Sequence, residues 1–317
     1  MRDLFGRNAW VLGLAALLAL LLVATKMIQP NFGVSGVESL SRAVLPFAFA
    51  TAGMAVVVIA GGIDLSIASM MAVAGVTSAV LMQAWGVPLT VPAVIAILGV
   101  GACMGAINGL LIWVTRVPDI VVTLAMSFVW EGVALLILNA PGGTATPWLR
   151  EAILGFVPGL PFLPKALLIL AVILAAMWIP LRRSRLGLSI YAVGSDPTAA
   201  FRSGIATGPT KVAAYAIAGV MAALGGLSLT LSTGVGEPIP GPYLLASVAA
   251  VVLGGVSLAG GKGGLLGPIV AVLILRTVRL DLTLLSVDPN VTTIVEGAIM
   301  AAVVMLGGLI AIRESRK

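Results

Sequence analysis

The run Gly61-Gly62-Ile63-Asp64-Leu65-Ser66 places a carboxylate and a hydroxyl directly after two glycines, between two apolar stretches. Paired glycines let the backbone turn tightly or approach a neighbouring helix closely. Two roles are open to Asp64. It can cap the helix that follows, accepting from that helix's first free backbone N–H groups. Alternatively, because a carboxylate at an apolar junction is expensive, Gly61, Gly62, Asp64 and Ser66 can form part of a translocation path or inner gate. Four more charges interrupt apolar runs: Glu131, Glu296, Arg276 and Arg279. Charges so placed face the protein interior and pair, and Glu296 and Arg279 are positioned to do so. Glu131 reads as half of a structural ion pair or as a protonated carboxyl, with proton coupling the sharper alternative.

The segment Leu253–Leu266, with GGVSLAGGKGG at its centre, imitates a phosphate-cradling loop. Such a loop requires G-x-x-x-x-G-K-[ST]. Here Val256 stands where the first glycine belongs, and Gly263 follows Lys262 in place of a hydroxyl. The segment is expected to be a tight hairpin with Lys262 at the interface, and ATP hydrolysis is not expected of this chain. No catalytic or metal-ligating set emerges either. The sequence has no His, and its single Cys103 lies in an apolar run where a buried, inert thiol is expected.

A third motif, Leu186–Ile205, is polar and punctuated. Asp196 before Pro197 is an N-cap followed by proline at the first helical position. Thr198–Ser203 has room for about two turns, and Gly204 suits a left-handed stop. One short helix outside the bilayer is expected. It either tidies a long loop or docks a cytoplasmic partner through Asp196, Pro197, Ala199, Ala200, Arg202, Ser203 and Gly204.

The elements that must hold these motifs are set by composition. Hydrophobic residues make up 60% of the 317 and charged residues only 9%, against roughly 25% in a soluble domain. The chain is therefore expected to be all-α: a polytopic membrane helix bundle forming a single domain over 1–317. Ten spans are read, at 9–28, 43–61, 66–84, 89–114, 120–140, 165–181, 211–231, 243–260, 264–280 and 292–312. The first is taken as an uncleaved span, since no A-x-A site follows it before Lys26. With the N-terminus inside, twelve basic residues (Arg2, Arg7, Arg116, Arg182, Arg183, Arg185, Arg202, Lys211, Lys262, Arg313, Arg316, Lys317) fall on the inner side. Six (Lys26, Arg42, Arg150, Lys165, Arg276, Arg279) fall on the outer side. That asymmetry puts both termini in the cytoplasm and explains the net charge of +6 without nucleic acid. Echoes between 61–66 and 254–259, and between Glu131-Gly132 and Glu296-Gly297, suggest two related halves, although their spacings of about 193 and 165 residues differ.

At GGIDLS the chain resembles the permease subunits of ribose/xylose/galactose-type ABC importers. The resemblance runs on through Asn108-Gly109-Leu110-Leu111, Val117-Pro118, Thr123-Leu124, Tyr191-Ala192-Val193-Gly194, Ala199-Ala200, Ser203-Gly204-Ile205 and GGVSLAGGKG, in order over nearly the whole chain. It implies a bacterial inner-membrane subunit that works in a pair with a second permease chain and imports a monosaccharide or similar small polyol. A periplasmic sugar-binding protein would deliver the substrate. A separate ATPase, carrying the ATP and Mg, would dock on the 182–210 loop, so this chain holds no cofactor. Relative to the family, Phe201 replaces a frequent basic residue and Glu131 a common arginine. Two rivals follow from the residues alone: a proton-coupled secondary transporter using Glu131 and Asp64, and a structural subunit of a membrane complex.

Overall fold

The computed structural model describes residues 2–239 and 241–315, with side chains over 10–239 and 241–305. Arg316, Lys317 and Pro240 lie outside the described residues, as do the side chains of Arg2, Arg7 and Arg313. The helices are α1 (Arg2–Ile28), α2 (Val34–Ile59), α3 (Ile67–Trp85), α4 (Thr90–Thr115), α5 (Asp119–Ile137), α6 (Pro147–Ile153), α7 (Lys165–Arg183), α8 (Arg185–Ser195), α9 (Pro197–Arg202), α10 (Thr207–Thr233), α11 (Tyr243–Leu253), α12 (Leu266–Leu284) and α13 (Pro289–Ser315). The strands β1 (Phe156–Val157) and β2 (Leu160–Pro164) pair as a small antiparallel hairpin.

Each of the ten expected spans falls on a helix, namely α1–α5, α7 or α10–α13. Seven of these, α1–α5, α7 and α10, are long and apolar enough to cross a membrane. Two boundaries differ from expectation. The second span starts at Val34 rather than 43, because the helix runs on through Gly36 and Glu38 pairs one turn on with Arg42 at 3.2 Å. The eighth ends at Leu253 rather than 260, because Gly255 turns the chain with φ +82°. Cys103 is exposed on α4 rather than buried.

The bundle is organised around α10, which packs against α4, α2 and α3. Gly101, Gly105 and Gly109 recur every fourth residue and make one stripe along α4. A methyl group on any of them would strike α10, at the backbone of Gly219, Tyr215 and Val212 respectively. α2 is buried along nearly its whole span, whereas α1, α5 and α7 leave most of their apolar surface free. In the absence of a hydrophobic driving force between helices in lipid, this close backbone packing supplies the cohesion. At the α1–α12 contact the buried Thr25 hydroxyl donates to Asp281 Oδ1 at 2.6 Å.

Candidate functional site

The glycine pair ends α2. Gly61 has φ +79°, its N–H donates to the Val58 carbonyl at 2.9 Å, and the Gly62 N–H donates to the Val57 carbonyl at 3.0 Å. This is a left-handed helix stop. A side chain at Gly62 would collide with Asp119 Oδ2 and the Tyr215 hydroxyl. In the turn that follows Asp64 and Ser66 are fully buried, while Ile63 and Leu65 are half-buried.

Asp64 does not bond to first-turn N–H groups of α3. Its Oδ1 accepts from the Ser66 N–H at 2.9 Å and from the Ser66 hydroxyl at 2.6 Å, so it closes the turn one step before the helix. Ser66 is the N-cap residue and makes no side-chain cap of its own. A polar chain then runs outward: Asn108 Nδ2 donates to Ser66 Oγ at 2.7 Å, and Trp130 Nε1 donates to Asn108 Oδ1 at 3.2 Å. Beside it, Lys211 Nζ binds both oxygens of Asp119 at 2.7 and 2.8 Å, and the Tyr215 hydroxyl donates to Asp119 Oδ2 at 3.0 Å. Thr123 Oγ1 donates to the Ile63 carbonyl at 3.1 Å. The α2–α3 turn is thus tied by side chains to α4, α5 and α10. Asp64 Oδ2 is buried without a partner. Burial raises the Asp64 carboxyl to about 6, against the pull of its two Ser66 hydrogen bonds and with a smaller upward push from the Asp119 charge.

The 182–210 segment holds two helices where one was expected. α8 is capped by Ser184, whose hydroxyl accepts from the Gly187 N–H at 3.0 Å. α9 starts as its sequence indicates: Asp196 Oδ1 accepts from the Thr198 and Ala199 N–H groups at 2.8 and 3.0 Å, and Pro197 follows it. It stops after Ser203 at Gly204, which has φ +83°. Ala200 is buried, while Pro197, Ala199, Phe201, Arg202 and Ser203 are exposed.

Gly194, near the end of α8, meets two turns at once. A Cβ there would strike the Ile59 carbonyl of α2 and the Gly261 nitrogen beyond α11. Those two atoms are themselves joined, Gly261 N–H to Ile59 O at 2.9 Å. Tyr191 adds a second tie, its hydroxyl donating to the Gly263 carbonyl at 2.8 Å. Burial raises the Tyr191 pKa and so keeps the phenol in its donating form, an effect that the Arg182 charge partly offsets.

This architecture has known relatives. The permease component family of branched-chain amino acid transport systems matches residues 36–304. The chain belongs to this family. The permease is 32% identical to the ribose import permease protein of Escherichia coli (strain K12) over 94% of each chain. It is 33% identical to that of Bacillus subtilis (strain 168), over 91% of this chain and 90% of the relative. It is 30% identical to the autoinducer 2 import system permease protein of Escherichia coli O9:H4, over 94% and 92%. No solved structure matches significantly. Family and helices together make the permease a multi-pass membrane protein and a component of an import system.

The remaining charges of the permease lie apart from the buried turn. Arg279 Nη1 pairs with Glu296 Oε2 at 3.1 Å, as their placement suggests. Arg276 stacks on Phe47 and Tyr243. Glu131 stands half-buried on α5. Sequence reasoning did not find the Asp119–Lys211–Tyr215 cluster, whose members lie 92 and 96 residues apart from Asp119. The available signal was Asp119 itself, a carboxylate opening an apolar helix right after Val117-Pro118. The glycine stripe on α4 was equally legible as a four-residue repeat.

Proposed function

We propose that the protein is the membrane-spanning subunit of an ATP-driven importer for a monosaccharide or similar small polyol. The observation that carries this reading is similarity over nearly the full chain to import permeases named for ribose. The Gly194 junction supports it, since α8 touches the end of α2 and the loop between α11 and α12 together. In this reading two permease chains pair in the bacterial inner membrane. A periplasmic sugar-binding protein delivers substrate outside. A separate cytoplasmic ATPase, holding ATP and Mg, docks on 182–210, where Leu188 and Phe201 are exposed. The nucleotide-loaded ATPase favours one arrangement of that segment, and Gly194 carries the change to both turns. Gly61, Gly62, Asp64 and Ser66 hold the inner ends of the bundle.

The chain crosses the bilayer ten times with both termini inside, following the basic-residue asymmetry; α11 is too short to span alone and crosses together with the proline-rich loop before it. Reporter fusions at Gly159 and Gly236 are expected to read external and one at Ser195 internal; an internal signal from Gly159 overturns the map.

Function is tested in proteoliposomes holding the permease with a candidate ATPase and binding protein from the same genome. Sugar uptake that requires all three and ATP is the expected result. Uptake that proceeds without ATP and collapses with the proton gradient would instead support a secondary transporter using Glu131 and Asp64.

A further inference from the structure

A cavity of about 310 Å³ lies between α2, α11, α12 and α13, beneath the loop that precedes α11. Its wall is chemically mixed. The Arg276 guanidinium carbon lies 5.0 Å from the centre of the Phe47 ring and 5.4 Å from that of Tyr243. The two rings stand edge to face, with centroids 6.3 Å apart. Arg276 Nε is buried and has no hydrogen-bond partner. Across the cavity Arg279 and Glu296 hold each other, and Glu237 lines it from the loop.

We infer that this cavity is a binding station for one neutral, polyhydroxylated molecule of monosaccharide size on its way through the protein. The inference rests on the importer reading above and gives it a place inside this chain. The charges decide the ligand class. Two arginines and two glutamates line one small space, so their net charge is zero, and with Arg279 and Glu296 neutralising each other an anionic ligand that approached Arg276 would also meet Glu237. A purely apolar ligand would leave Arg276 Nε without a partner in a low-dielectric site. A hydroxyl both donates and accepts. Several of them on one small ring can accept from the guanidinium and donate to a carboxylate, while the ring's C–H groups lie against Ala246, Ile299 and Met300. Because the guanidinium is already held in place by two aromatic faces, little order is lost when it hydrogen-bonds. The cavity sits at the small end of the range for ligand sites, about 300–1,000 Å³, as a station for a small solute requires.

The test begins with the binding protein that supports uptake in the reconstituted assembly, screened against neutral pentoses and hexoses; the sugar it takes becomes the probe. If no candidate takes a sugar and no uptake is seen, the importer reading fails, and the station falls with it. With the sugar known, its diazirine derivative is photolysed on the reconstituted wild-type assembly and the adducts are mapped. Labelling of the α11 or α12 segments that line the cavity, competed by the free sugar and not by the corresponding sugar acid, is expected. Adducts only elsewhere overturn the station while leaving the importer reading intact, and labelling indifferent to free sugar indicates a lipid occupant and overturns it too. Two variants sharpen the result. Arg276→Ala removes the donor and Ala246→Trp fills the space. Each is expected to lower uptake about tenfold or more while ATPase stimulation by the loaded binding protein persists. Wild-type uptake in both variants refutes the proposal.

Discussion

The α2–α3 and α11–α12 turns begin alike and end differently. Both open with the same left-handed stop: Gly61 at φ +79° and Gly255 at φ +82° each follow a helix whose last carbonyls accept from the turn. Both reach Gly194. Beyond the stop they diverge. The first turn places Gly62 against Asp119 and Tyr215 and buries Asp64, with side chains from three helices bonded into it. The second has Val256 and Leu258 at the matching places and runs on through glycines, held largely by backbone bonds such as Ser257 N–H to Lys262 O at 3.2 Å. One turn is locked by polar side chains, the other by close backbone approach. The first is built to hold a shape, and the second to follow whatever touches it.

If Gly194 is the shared contact, bulk there must disturb both turns, and this is the largest expected effect. Gly194→Val has to displace backbone atoms on two sides, at a cost on the order of 3 kcal/mol. Earlier melting in detergent and loss of ATP-driven uptake should both appear; an unchanged melting curve would show that the turns do not share this contact. Next comes an asymmetry at matched positions. Gly62→Leu drives a side chain into Asp119 and Tyr215 and should abolish uptake, whereas Val256→Ile should stay within about 1.5 kcal/mol of wild type and keep transporting. Equal effects would erase the distinction between the turns.

Asp64 gives the comparison a pH signature. Its carboxyl titrates near 6 in the folded protein against an ordinary 3.8, so the folded state holds the proton more tightly than the unfolded one. Stability from this group is therefore present below pH 4, erodes as pH rises through 4–6, and stands about 3 kcal/mol lower above that window. Asp64→Asn should flatten this slope in melting measured between pH 4.5 and 7.5 while keeping the Ser66 bonds. A full loss of uptake in that variant, with normal folding, would give Asp64 a direct part in the path. The smallest effect is expected at Lys262. Its loop lacks a phosphate-binding pattern, so Lys262→Ala should leave nucleotide binding by the assembled importer unchanged, as read by ATP titration.

Much of this was open to inspection in the sequence because it is local. Apolar runs located the helices, and Asp196, Pro197 and Gly204 marked both ends of α9. The Arg279–Glu296 pair followed from two charges sharing one end of neighbouring spans. What escaped was either disguised or distant. α8 hid inside a basic stretch, although Ser184 caps it and Ile190 and Val193 on it are buried. Asn108 and Trp130 each look ordinary on their own helix, and only folding brings them to Ser66. Asp64 looked like a cap for α3, but its own turn takes up its oxygen first.

The glycine stripe of α4 also sets a timetable for making the protein. Its partner surface on α10 is completed only at Thr233, more than a hundred residues after α4 ends at Thr115. At about 5–20 residues per second the gap lasts roughly ten seconds. Throughout that interval the stripe of α4 has only lipid or the insertion machinery against it, and the central contact of the bundle does not yet exist. The helices before α10 enter the membrane with only contacts such as α3–α4, α3–α5 and α2–α7 among them, and a ribosome that stalls before α10 leaves behind a fragment that lacks the centre of the bundle.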